Sequence, residues 1–141
     1  MLIKECMTEN VSFVDPNTQI PQIARKMRDE DIGALPVVEN EKLVGMVTDR
    51  DMVVRIVAEG HDVRTAIARE AMSPKVLYCF DDQTVEEVLE NMGDNQVRRL
   101  PVVNRDKRLV GVVSLGDLSK AAKKKAKAGE ALEEISQRTH H

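Results

Sequence analysis

Apolar positions along the chain recur with two different periods. Ile20, Ile23, Ala24 and Met27 fall at the three-and-four spacing of an amphipathic helix, and Val85, Val88, Leu89 and Met92 repeat it. Thr84 and Glu87 stand where a capping box would open the second of these helices. Pro21 is compatible with the first because it lies in the opening turn. Each helix is followed by two short apolar runs around a polar turn: "ALPVV" and "LVGMVT" flank "ENEK", and "LPVV" and "LVGVVS" flank "NRDKR". Runs of this kind predict hairpin strands. A further short run precedes each helix, "NVSFV" and "KVLYCF", and is expected to form a strand. A last helix closes each series, "DRDMVVRIVAEG" stopped by Gly60 and "GDLSKAAKKKAKAG" stopped by Gly129.

The two series are one series written twice. "KECMT" is answered by "REAMS", so that Met7 corresponds to Met72. Pro36 corresponds to Pro101 and Gly45 to Gly111, the second copy gaining one residue in the intervening turn. Phe13 pairs with Tyr78 in the same way, and Met27 with Met92. The expected organisation is a first copy over 1–59, a linker over 60–66, a second copy over 67–122 and a helical tail over 123–141. Each copy is strand, helix, strand, strand, helix. A unit of about 55 residues buries too little surface to be comfortable alone. The prediction is therefore an α/β fold in which two pseudo-twofold-related repeats pack into one compact module. A cleft between two such units is a usual place for a small ligand.

Composition narrows the function classes. Aromatic residues make up 2% of the 141 positions and Trp is missing, so the core must be aliphatic. A formal net charge of -3 argues against an overall nucleic-acid footprint. Lys120, Lys123, Lys124, Lys125 and Lys127 form a local basic run. It has no interleaved aromatics and an acidic segment follows, so it is expected to be a solvated helix end. Beyond it, Ala131, Leu132 and Ile135 offer a short apolar face for a partner. No run approaches the roughly 20 apolar residues of a membrane span, and charge comes too early for a signal peptide. A cytoplasmic location is the expectation. Cys6 and Cys79 form no C-x-x-C and are expected to be small buried hydrophobes, with no metal site. There is no G-x-S-x-G, no phosphate-binding glycine loop and no His placed beside a nucleophile, so an enzyme is not expected.

Inside each copy lies G-x-x-[S/T]-x-x-D: Gly45, Thr48 and Asp51 in "GMVTDRD", Ser114 and Asp117 with Gly111 in "GVVSLGD". Glycine permits close approach of a ligand or of another backbone. The hydroxyl sits beside the free N–H groups of a helix start, a place that favours anions. The carboxylate three residues on can accept hydrogen bonds from the two vicinal hydroxyls of a ribose. The plain alternative is that Thr48 and Ser114 cap their helices while Asp51 and Asp117 satisfy the dipole. Recurrence of the whole triplet in both copies favours the ligand.

With these blocks in hand, the chain resembles a tandem pair of CBS domains, a Bateman module, over nearly all of residues 4–122. The resemblance rests on the paired "LPVV" and "LVG" blocks with their [T/S]-x-x-D endings. It implies a regulatory module that binds AMP, ADP, ATP or S-adenosylmethionine between the repeats and requires no cofactor. Asp51 and Asp117 would then hold ribose, with Thr48 and Ser114 near ribose or phosphate. Adenine would slot beside Val11 and Ile20 in the first copy and Val76 and Val85 in the second. Arg98 and Arg99 precede the second "LPVV" where the first copy has Gly33 and Ala34. By the resemblance they face the Asp51 site and make it the stronger one for phosphate, with Arg50 a lesser candidate. The family also implies a homodimer, expected through Ile23, Met27, Val88 and Met92, and an effector protein. The competing reading is a structural or interaction module that docks on a partner and keeps vestigial nucleotide sites.

Overall fold

The computed structural model describes residues 1–126; the Gly129 stop, Lys127 and the apolar face at Ala131, Leu132 and Ile135 lie outside the described residues. Helix α1 spans Ile20–Glu30 with Pro21 in its first turn, and ends where Asp31 turns left-handed at φ 53°. Its counterpart, labelled α4 in chain order, spans Val85–Asn95 and ends at Gln96 with φ 55°. Thr84 caps it, its hydroxyl accepting the Glu87 N–H at 3.2 Å. The expected return bond is diverted, because the Glu87 carboxylate instead accepts from Gln83 Nε2 at 3.4 Å.

Strands β1 (Ala34–Glu39) and β2 (Lys42–Thr48) form the first antiparallel hairpin. Its two-residue loop places Asn40 and Glu41 at φ 52° and 68°, the mirror-image turn whose twist suits a hairpin. In the second copy β4 (Arg99–Val103) and β5 (Leu109–Ser114) pair through the same register. The extra residue is taken up in the longer turn around Lys107, at φ 63°. The strands expected before each helix are much reduced. The second survives as β3, Cys79–Phe80, parallel to β4. "NVSFV" keeps only a single parallel bridge, Val14 to Val37, and its first residue, Asn10, is at φ 33°, outside the extended region. Helix α2 (Asp49–Met52) runs into a π-helical turn over Val53–Val57, and the chain leaves by Gly60 at φ 76°. The one-turn helix α3 covers Ala68–Ala71, and residues 115–126 are helical (α5).

Packing crosses the copies. Ile3 is buried among Val85, Val88 and Leu100 of the second copy, whereas Ala66, Ala68 and Ala71 are buried among Ile20, Ile23 and Leu35 of the first. Each lead segment is stitched to the other half. Ile3 N donates to Gln83 O at 2.9 Å and Ile20 N to Ala66 O at 2.9 Å. The two halves are thus interlocked, which explains how each small aliphatic core is closed. The same packing corrects the expected self-association face. Ile23 and Val88 are fully buried, and Met27 and Met92 are 7% and 2% exposed. That stripe covers the sheet. Exposed apolar residues lie elsewhere, with Val53, Val54 and Val57 grouped on the π-helical turn and Met1, Phe13, Val63, Leu77 and Leu115 at other points of the surface. Among the described residues no helix is long and apolar enough to cross a membrane.

Candidate functional site

The repeated motif marks where a strand gives way to a helix. The Thr48 hydroxyl accepts the Asp51 N–H at 3.0 Å, and the Asp51 carboxylate accepts the Thr48 N–H at 3.0 Å. Ser114 and Asp117 repeat this reciprocal pair at 3.1 and 3.1 Å. Both are capping boxes with aspartate as the returning acid. The glycines serve the crossing segments. A Cβ on Gly45 would stand 3.0 Å from Ser73 O, and one on Gly111 would stand 2.7 Å from Met7 Sδ and 2.8 Å from Thr8 O. Met7 and Met72 therefore occupy equivalent places, each laid over a motif glycine. Every position of the motif has a structural task within the chain. The Asp51 carboxylate nevertheless keeps free lone pairs: its side chain is 20% exposed, with Oδ1 3.9 Å from Arg55 Nε.

Beside this motif a cavity of about 390 Å³ opens between the copies. Val11, Gly33 and Ala34 line it from the first copy, and Arg99, Leu100 and Val112 from the second. Its size and mostly apolar wall suit a small organic ligand. Register relates the edges of the two walls. Ala34 pairs with Thr48 in β1–β2 and Arg99 pairs with Ser114 in β4–β5, so Ala34 and Arg99 are structural equivalents. A methyl stands on one wall and a guanidinium on the other.

Of the residues expected from sequence, Val11 and Arg99 line this cavity. Thr48 adjoins its Ala34 wall through the β1–β2 pairing and Asp51 is tied to Thr48 by the capping bonds, neither of them lining it. Arg50 and Arg98 are exposed and do not line it, and Val76 is half-buried outside it. The slot expected at Ile20 and Val85 is corrected: they are 2% and 3% exposed and belong to the two aliphatic cores. Each opens a helix whose apolar stripe turns inward, so neither is free to meet a base. Asp117 lines a separate space of about 210 Å³ with Glu5, Cys6, Lys120 and Lys124. The two aspartates thus have different surroundings.

Four polar residues on the main cavity were not expected: Thr8, Asn10, Ser12 and Glu30. Ser12 Oγ donates to the carboxylate of Glu30, and both side chains line the space. Nothing in the sequence links two residues so far apart. Cys79 is the buried hydrophobe expected, whereas Cys6 is only half-buried and borders the Asp117 space. Burial pushes the fully buried Cys79 thiol up to about 12. Burial raises the half-buried Cys6 as well, with the Asp117 carboxylate contributing. Among the described residues no cluster of three or more His, Cys, Asp or Glu is arranged to hold a metal ion.

The repeated hairpin-and-helix units, their interlocked packing and the cleft between them define a tandem pair. The CBS domain model matches residues 3–58 and 68–124, and the chain belongs to that family. CBS domain-containing protein YhcV of Bacillus subtilis is 39% identical over 139 residues, 99% of this chain and 98% of that protein. The crystal structure of Hypoxic Response Protein I with two coordinated zinc ions is 35% identical at a TM-score of 0.76, covering 86% of this chain and 98% of that one. The CBS domain pair of protein MJ0100, solved with 5′-methylthioadenosine and S-adenosyl-L-methionine, is 25% identical at a TM-score of 0.72, covering 89% and 98%.

Proposed function

We propose that the chain is a regulatory ligand-sensing module that binds an adenine-containing compound in the cavity between its repeats. The observation that carries this reading is the 390 Å³ cavity itself, apolar on most of its wall and bordered by Arg99. An adenosine moiety fills a space of that kind with its base against the half-buried Val11 and Val112. Arg99 supplies a planar fork for an anionic group at the other end. Asp51 accepts from ribose hydroxyls with the lone pairs that its capping bond leaves free. The Thr48–Asp51 side is the stronger site for a phosphorylated ligand, and the Ser114–Asp117 side the weaker. The adenine ligands bound by the CBS pair of MJ0100 support the same chemistry. The reading includes no catalytic step. It also includes a second copy of the chain and an effector protein, through which ligand occupancy acts.

A thermal-shift series with AMP, ADP, ATP and S-adenosylmethionine tests this. A ligand that binds only the folded chain stabilises it by about 2.7 kcal/mol at 100 times its dissociation constant. For a chain of this size that is a rise of several degrees in Tm. No shift with any adenine compound at millimolar concentration refutes the reading and leaves an interaction module without nucleotide sites.

A further inference from the structure

The charges bordering the cavity are few and come from opposite sides. Among its lining residues only Arg99 and Glu30 are charged; the rest are apolar or, like Thr8, Asn10 and Ser12, neutral and polar. Glu30 is the last residue of α1, the end of a helix where a carboxylate is least favoured by the backbone dipoles. It is held there by the Ser12 hydroxyl on Oε1, and Oε2 lies 3.8 Å from Lys26 Nζ. Lys26 does not line the cavity. A carboxylate, paired on its outer side with Lys26, therefore stands at the same small space as the single lining cation.

We infer that Glu30 is a specificity-determining residue that makes the cavity select adenosine compounds of low net charge, with at most one phosphate. This rests on the adenine reading above. One guanidinium can balance one anionic group. Each further phosphate adds negative charge in a space that already holds a carboxylate. Two like charges about 8 Å apart at an effective dielectric of about 40 weaken binding about sixfold. A monophosphate, or a zwitterion whose cationic group meets Glu30, escapes most of that penalty. The Ser12–Glu30 pair can instead accept a hydrogen bond from a ligand hydroxyl or amino group.

The test is calorimetric titration of AMP and ATP into the unaltered chain, Glu30→Gln and Glu59→Gln. Glu30→Gln keeps the shape and an acceptor for Ser12. Glu59 is exposed and does not line the cavity, so its variant controls for overall charge. The unaltered chain should bind AMP more tightly than ATP. Glu30→Gln should narrow that ratio about sixfold or more, chiefly by improving ATP, while Glu59→Gln should leave it alone. Binding of both nucleotides with an unchanged ratio in Glu30→Gln, or an equal change in Glu59→Gln, overturns the inference about Glu30 alone. If neither nucleotide binds the unaltered chain, the adenine reading fails and this inference falls with it. Equal melting temperatures across the three chains exclude misfolding as the cause of either result.

Discussion

The motif glycines provide a graded test of the interlocked packing. At Gly111 an added methyl would sit 2.7 Å from Met7 Sδ and 2.8 Å from Thr8 O, both closer than atoms tolerate. Met7 is a flexible side chain and can yield. Thr8 O cannot, because it accepts the Val112 N–H at 2.9 Å while Thr8 N donates to Val112 O at 2.9 Å. Gly111→Ala must push this backbone away, weakening two hydrogen bonds of about 1 kcal/mol each on top of about 1 kcal/mol or more of overpacking. The expected loss is about 3 kcal/mol. At Gly45 the nearest atoms are Ser73 O at 3.0 Å and Met72 Sδ at 3.1 Å, so shifts of a few tenths of an ångström suffice. Gly45→Ala should cost about 1–2 kcal/mol. Gly93 lies inside α4 with nothing within 4 Å of an added Cβ, and Gly93→Ala should stabilise by about 0.5–1 kcal/mol. Each kcal/mol corresponds to about 3–5 °C in Tm for a domain of this size. Denaturant melts of the three variants give the order directly. A Gly111→Ala chain as stable as the unaltered one, or less affected than Gly45→Ala, would refute the reasoning.

Asp51→Ala and Asp117→Ala each break one capping box, so both should lower stability by about 0.5–2 kcal/mol in equilibrium unfolding. Only Asp51→Ala should also weaken AMP, by about 10- to 150-fold for a lost bond to a charged group; equal losses in affinity would reject the asymmetry between the sites. Thiol labelling at pH 8 should modify Cys6 and leave Cys79 untouched until denaturant is added, because burial disfavours the Cys79 thiolate; simultaneous labelling of both would contradict this. Self-association, if it uses Val53, Val54 and Val57, should be lost in a Val53→Lys, Val57→Lys chain. Light scattering shows this as a drop to monomer mass, and an unchanged dimer mass rules that surface out.

Much of the fold was legible because local pattern and tertiary packing agree. The stripes at Ile20–Met27 and Val85–Met92 became α1 and α4, and the turns "ENEK" and "NRDKR" became hairpin loops. The lead segments were not legible. Nothing local tells Ile3 to bury against Val88, or Ala68 against Ile23, since that exchange is fixed only by the contacts of the assembled halves. One short strand failed for the same reason: "NVSFV" has strand composition but finds a partner at Val14 alone, while "KVLYCF" survives at Cys79–Phe80. At the site, Arg99 opposite Ala34 followed from aligning the copies. The inward turn of Ile20 and Val85 was implicit in the helical stripes that buried them, and Glu30 gave no signal apart from its place at a helix end.

The central claim, an adenine ligand between the repeats with its anionic group at Arg99, is tested most directly by titrating AMP and adenosine into the unaltered chain and Arg99→Ala. Arg99 is exposed at the cavity edge, so losing its charge-assisted bonds should weaken AMP by about tenfold. Adenosine, lacking the phosphate, should bind both chains alike. Equal weakening of AMP and adenosine, or binding of neither by the unaltered chain, would contradict the account.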